Sequence, residues 1–322
     1  MPQSAWDPSL GSLGFCAGTR IVTLDGEAPV EQLAPGTLVL TLSGAGAPLK
    51  PVLRTGQAHL DLAAHADPGQ VCPVRIAAGA IAAGVPIRDL RVSPDHGVAL
   101  EDAAGRRGLV PAGLLVNGAT VRRDAALGTV TYVQVAIGTH ELLMADGMVA
   151  ESGRGSPGAS PPDAQPHLAA AAVREIHARL LERAGACGHR LTDDPGLAVL
   201  CAGRLVDRIM GEAGEYAFLL PPGSSVVVLR SRLFVPAETD PAGGDGRCLG
   251  VAVDRIVHDG VDLDIVGPAC GAGFLPPEGD GPHRWRWTTG EAMLALPVLA
   301  QETVLELRLR RGWGRYWLPP RG

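Results

Sequence analysis

Between Gly14 and Glu151, polar and apolar side chains alternate in short runs that turn residues cut apart. The run Thr19-Arg20-Ile21-Val22-Thr23-Leu24 has the two-residue period of a half-buried strand, and Asp25-Gly26 directly after it is a tight-turn signal. Residues 29–33 form a short amphipathic segment, and Pro35-Gly36 turns the chain into a second alternating run at 37–42. The same pattern predicts strands at 71–76, 90–93, 97–100, 130–136, 140–144 and 148–149. Many short strands with regular turns point to a compact all-β module, not to alternating β and α.

The pattern then changes. Residues 153–166 are Gly, Ser, Pro and Ala with almost no large apolar side chain, and read as a linker and domain boundary. In the next stretch Val173, Ile176, Leu180 and Leu181 fall on one stripe at helical spacing, which predicts a helix over 169–186 ended by Gly185 or Gly188. Strands return at 197–201 and 204–209, around an Ala202-Gly203 turn, and at 216–220, 226–235, 248–258, 261–266, 283–287 and 304–309. The expected fold is therefore mainly β. An N-terminal segment 1–13 leads into an all-β module at 14–152, then the linker, then a helix and a β-sandwich-like second domain at 167–322.

Composition narrows the function. The 322 residues suffice for two domains, and 46% of them are apolar, so a sizeable core is within reach. No apolar run approaches the roughly 20 residues of a membrane-spanning helix. Residues 1–12 hold no apolar stretch of signal-peptide length, so the expected locations are the cytoplasm or outside by a leaderless route. The net charge of −6 comes with no basic stripe, and Lys50 is the single lysine, so nucleic acid is not an expected partner. The six cysteines, Cys16, Cys72, Cys187, Cys201, Cys248 and Cys270, show no C-x-x-C pair. No metal site, cofactor or disulfide framework is expected, and most of the thiols read as small buried hydrophobes.

Five blocks in order carry the chemistry. Gly14-Phe15-Cys16-Ala17-Gly18-Thr19 opens, with Val30-Glu31-Gln32-Leu33-Ala34-Pro35-Gly36 behind it. Pro73-Val74-Arg75-Ile76 leads to Arg88-Asp89-Leu90, and Ser93-Pro94-Asp95-His96 follows. Then come Val116-Asn117-Gly118 and a closing block that includes His140, Ala145-Asp146-Gly147 and Ala150-Glu151-Ser152. Together these resemble bacterial Hint domains, the self-processing modules shared by hedgehog C-terminal regions and inteins. The resemblance covers some 140 residues and implies an N–S or N–O acyl shift: a side-chain thiol or hydroxyl attacks the carbonyl just before it. The step needs a distorted amide and a proton for the leaving nitrogen. By resemblance His96 supplies that proton and the Ser93 hydroxyl supports it. Thr19, His140 and Asp89 join them as candidate site residues, with Arg88 and Asp89 a candidate pair beside the site. Any such activity would be single-turnover autoproteolysis rather than multiple-turnover catalysis.

The departure lies at the nucleophile. Where the family opens Cys-Phe-x-x-Gly-Thr, this chain has Gly14, and Cys16 sits two residues on, a spacing that keeps the same face of a strand. The closing Ala150-Glu151-Ser152 stands where inteins end in His-Asn, so Asn cyclisation and full splicing are not expected. The reading is a degenerate self-cleaving protein, with Cys16 as the one residual nucleophile. The alternative is a non-catalytic binding protein, whose second domain takes a glycan or protein partner. Trp285, Trp287, Trp313, Tyr316 and Trp317 would stack on sugar rings in that case, although core packing is the blander account of such aromatics.

Overall fold

The computed structural model describes residues 4–5, 14–42, 47–153, 166–212, 214–240, 242–312 and 314–320. Most of the segment 1–13, most of the linker 153–166 and Trp313 lie outside the described residues. The chain divides into two compact units, 1–189 with 320–322, and 190–319.

The first unit is a curled, largely antiparallel sheet of 14 strands. Its spine is the pairing of Leu49–Asp61 with Thr129–Ile137, nine residues in register with a bulge at Ala136/Ile137. On its other edge Thr129–Ile137 carries the short strand Phe15–Cys16, with Phe15 opposite Val133 and Cys16 opposite Tyr132. Phe15 also pairs with Val92 of the strand Leu90–Val92. Inward residues such as Ile21, Val39, Val74, Leu90, Val98 and Leu143 are fully buried and share one core. The turns form as the pattern predicts: Gly26 and Gly36 take positive φ where the Asp25-Gly26 and Pro35-Gly36 signals stand. Asn117 organises another turn, its side-chain oxygen accepting the amides of Ala119, Thr120 and Val121, each at 3.0 Å.

The helix Ala170–Ala186 matches its predicted span, but its affiliation differs from expectation. It belongs to the first unit, with Ile176 and Leu180 buried in the β-module's core. Polar staples fix it there: the His177 ring meets the Val116 carbonyl at 3.0 Å, and the Arg183 guanidinium donates to the Gly79 carbonyl at 2.8 Å. An apolar stripe settles wherever a complementary face is bare, and adjacency in sequence to the linker did not reveal which face that was.

In the second unit, a four-stranded sheet and a six-stranded sheet send side chains into one apolar core. Val199, Val227, Leu229 and Leu294 come from the first, and Phe218, Val253, Ile256 and Leu305 from the second. Ala202 and Gly203, both at positive φ, form the two-residue hairpin that the sequence marks. Strands at Leu49–Asp61, Arg107–Pro111, Glu291–Ala295 and Tyr316–Leu318 are not predicted above. Pro51 and Gly56 interrupt the first of these and hide its period.

Candidate functional site

Position 14 is set by backbone geometry. Gly14 has φ +101°, and a Cβ there would stand 2.5 Å from the Val133 carbonyl oxygen. Any other side chain, including the thiol that the family pattern places here, requires the backbone to move. Ser93 clamps this residue from the other side. The Gly14 amide donates to Ser93 Oγ at 3.0 Å, and the Ser93 amide donates to the Gly14 carbonyl at 2.9 Å. The turn Ser93–His96 thus folds back on the first strand of the module.

His96 lies beneath that strand. Its ring meets the Phe15 ring edge-on, with centroids 4.5 Å apart. The residue is 1% exposed, and neither ring nitrogen has a hydrogen-bond partner among the described residues. Burial, with His140 nearby, depresses the imidazole pKa to about 4, against the pull of Glu151. The ring is therefore neutral at physiological pH, with one nitrogen able to donate and the other to accept.

Glu151 contacts His140 and the backbone next to His96. Its carboxylate accepts the Gly97 amide at 2.6 Å and meets His140 Nε2 at 2.8 Å. Burial alone would raise its pKa. The His140 hydrogen bond, the nearby His96 and the Gly97 amide outweigh burial and hold it near 2. Glu151 was not among the residues expected at the site. The signal for it was its place in the closing block, one position before Ser152. Ser152 ends the module in a reciprocal pair with Glu141: the Glu141 amide donates to Ser152 Oγ at 2.9 Å, and the Ser152 amide donates to the Glu141 carbonyl at 2.7 Å. Glu141 is itself buried and ion-paired with Lys50. Gly153 then donates to the Val135 carbonyl at 2.8 Å. The two ends of the module, Gly14 and Gly153, therefore meet the same strand within two residues of each other, about 7 Å along it by strand rise.

Cys16 does not share this pocket. Adjacent strand residues point to opposite faces, so Phe15 turns to His96 and Cys16 turns away. The Cys16 side chain packs among Leu62, Val71, Val130 and Tyr132. Burial pushes its thiol up to about 12, so almost none is thiolate at neutral pH. The expectation that Cys16 takes the place of the missing thiol fails because Gly14, two residues back, sits in a left-handed backbone that breaks the strand's alternation.

Thr19 and Asp89 also fall elsewhere. The Thr19 amide donates to the Cys16 carbonyl at 3.2 Å and closes the turn after the strand. Asp89 pairs with Arg75 at 2.7 Å and accepts the Ala78 amide at 2.9 Å. The expected Arg88–Asp89 pair does not form. Arg88 instead reaches Asp146 at 3.1 Å, and Glu27, because neighbouring side chains diverge. Of the six expected site residues, the structure brings Ser93, His96 and His140 together, with Glu151 as the link.

The aromatic pair of the second unit mostly packs. Trp287 is buried against Phe234 and Tyr316, and half-buried Trp285 carries the Arg310 guanidinium 4.2 Å above its ring.

A family model described as the Hint domain matches residues 13–155. Among solved structures the chain resembles a bacterial intein-like domain from Clostridium thermocellum at 18% identity and a TM-score of 0.30, covering 43% of this chain and 96% of that one. It also resembles the MchDnaB-1 intein, at 13% identity and 0.29, covering 43% of this chain and 99% of that one. The gp41-1 intein matches at 10% identity and 0.27, covering 42% and 96%. No curated protein matches the chain. The ordered blocks, the curled antiparallel sheet and the family match make residues 13–155 of this chain a Hint domain.

Proposed function

We propose that residues 14–152 form a degenerate member of the autoprocessing class, a Hint scaffold that keeps the proton-handling pocket and has lost self-cleavage. The observation that carries this reading is Gly14 at φ +101° against the Val133 carbonyl, where no nucleophile exists and none fits without backbone movement. Ser93 and His96 still address the Gly14 amide and the strand behind it. The residual thiol, Cys16, is buried, protonated and turned to the other face.

The test is intact mass of the purified full chain, with and without dithiothreitol or hydroxylamine. The expected result is one unchanged mass. Under native conditions an alkylating agent should modify the exposed Cys248 and leave Cys16 untouched until the chain unfolds. Loss of an N-terminal peptide ending at residue 13 or 15, abolished by His96→Ala or Cys16→Ala, would overturn the proposal.

A second, compatible reading gives residues 190–319 a binding role and treats their two sheets as a β-sandwich. The observation that favours binding is an arginine-lined cavity within that unit. A glycan array probed with the full chain tests it.

A further inference from the structure

The unit 190–319 holds a cavity of about 660 Å³, within the range of small-molecule sites. Its aromatic lining is Tyr216, Trp287 and Tyr316, each at most 8% exposed. Tyr316 is anchored by its hydroxyl, which donates to the Gly250 carbonyl at 2.8 Å. Three arginines complete the wall: Arg208 from the strand Arg208–Glu212, and Arg310 with Arg311 just beyond the strand Thr303–Leu309.

The cavity wall carries three arginines and two aspartates, Asp193 and Asp194. Elsewhere in the same unit Arg230, Arg232, Arg247, Arg255 and Arg308 each pair with a carboxylate. Among the described side chains Arg208 and Arg311 form no such ion pair. Asp194, on the same wall, accepts the Gly196 amide at 2.9 Å and the Arg232 guanidinium at 3.1 Å, and Arg208 is near enough to help hold its carboxyl below the usual range. That leaves Asp193 as the acid without a fixed partner among the described hydrogen bonds.

Glycines make room for these groups. A Cβ at Gly211 would come within 2.8 Å of Arg208 Cδ, one at Gly214 within 2.7 Å of Arg311 Cγ, and one at Gly314 within 2.4 Å of the Tyr316 hydroxyl. Bare guanidinium groups on an open surface would mean little, since water satisfies them. Here Arg208 and Arg311 line one cavity at its exposed rim, each laid along a position that carries no side chain, Gly211 and Gly214.

We propose that this cavity binds a small hydroxylated organic anion of the sugar-acid class. The Arg208 and Arg311 forks take its carboxylate, which suits their planar donor geometry. Asp193 accepts hydrogen bonds from the anion's hydroxyls, and the buried aromatic residues form the floor beneath the ring. The proposal deepens the binding reading of the second unit and rests on it.

Isothermal titration of the full chain with glucuronate, glucose and inorganic phosphate at low salt decides the matter. Glucuronate is expected to bind, more tightly than phosphate, and glucose to give no heat. Arg208→Gln and Arg311→Gln should each weaken glucuronate by about tenfold or more. Both side chains are exposed, so both variants should keep the parent melting transition. Absence of glucuronate binding, or equal binding by parent and variants, overturns the site. Phosphate binding as tightly as glucuronate overturns the sugar-acid assignment. If glucuronate fails while the glycan array scores another ligand, only this pocket falls; a blank array removes the binding reading as well.

Discussion

The two faces of the strand Phe15–Cys16 have met different fates. One face carries a polar pocket: Ser93 holds Gly14, His96 sits under Phe15, and Glu151 ties His140 and Gly97 together. The other face is ordinary core, with Cys16 among Leu62, Val71, Val130 and Tyr132. The difference teaches that backbone geometry excludes a nucleophile as effectively as the absence of a side chain does. With Gly14 in a left-handed conformation, a thiol returned to that position meets a carbonyl oxygen, and a thiol two residues on points away.

The sharpest way to break this comparison is Gly14→Cys. It should destabilise the chain by about 2–4 kcal/mol, from an unfavourable φ plus a steric clash, and still not cleave. Denaturant melts and intact mass report both parts. Self-cleavage in this variant, at parental stability, would mean that the position is only a missing side chain.

Acid should strike the pocket face next. His96 is held near pKa 4 against an ordinary 6.5, so the unfolded chain binds a proton there that the folded chain refuses. Stability is therefore complete above pH 6.5 and falls by about 3 kcal/mol as pH drops to 4. Glu151, depressed from 4.5 to about 2, stabilises the fold above 4.5 and adds a further loss as pH falls from there. Unfolding free energy measured at pH 7.5, 5.5 and 4 should show this slope, and His96→Leu should flatten its upper part. A flat profile in the parent would place the imidazole in water.

The smallest expected effect is Ser93→Ala. It strands the buried Gly14 amide and should cost about 1–2 kcal/mol, read as a lower denaturant midpoint with an unchanged slope. A neutral result would show that the clamp is held by the backbone bond from Ser93 to the Gly14 carbonyl alone.

Much of this pocket is legible in the sequence, and the reasons are local. Ser93-Pro94-Asp95-His96 declares a turn, and its place in the ordered blocks locates it against the first strand. The alternating runs around Ile21, Leu90 and Val98 mark their own buried faces. What stays hidden depends on geometry that no short window encodes. A glycine in sequence does not state its φ, so Cys16 looks like a neighbour of the lost thiol until Gly14 turns the chain. Asp89 beside Arg88 suggests a pair, yet each side chain finds a partner at least ten positions away in sequence. Glu151 has only its place in the closing block as a signal, and its partners come from elsewhere in the chain, Gly97 from a strand and His140 from the segment between two strands.

The docked helix Ala170–Ala186 separates the boundary of the family from the boundary of the fold. The family match stops at residue 155, whereas the compact unit runs on to 189. A fragment ended at the former would leave a bare apolar trough where Ile176 and Leu180 belong, and the Val116 carbonyl and the Gly79 carbonyl without their side-chain donors. This chain trimmed to the match would be expected to clump, and anyone dissecting the protein should cut after the helix.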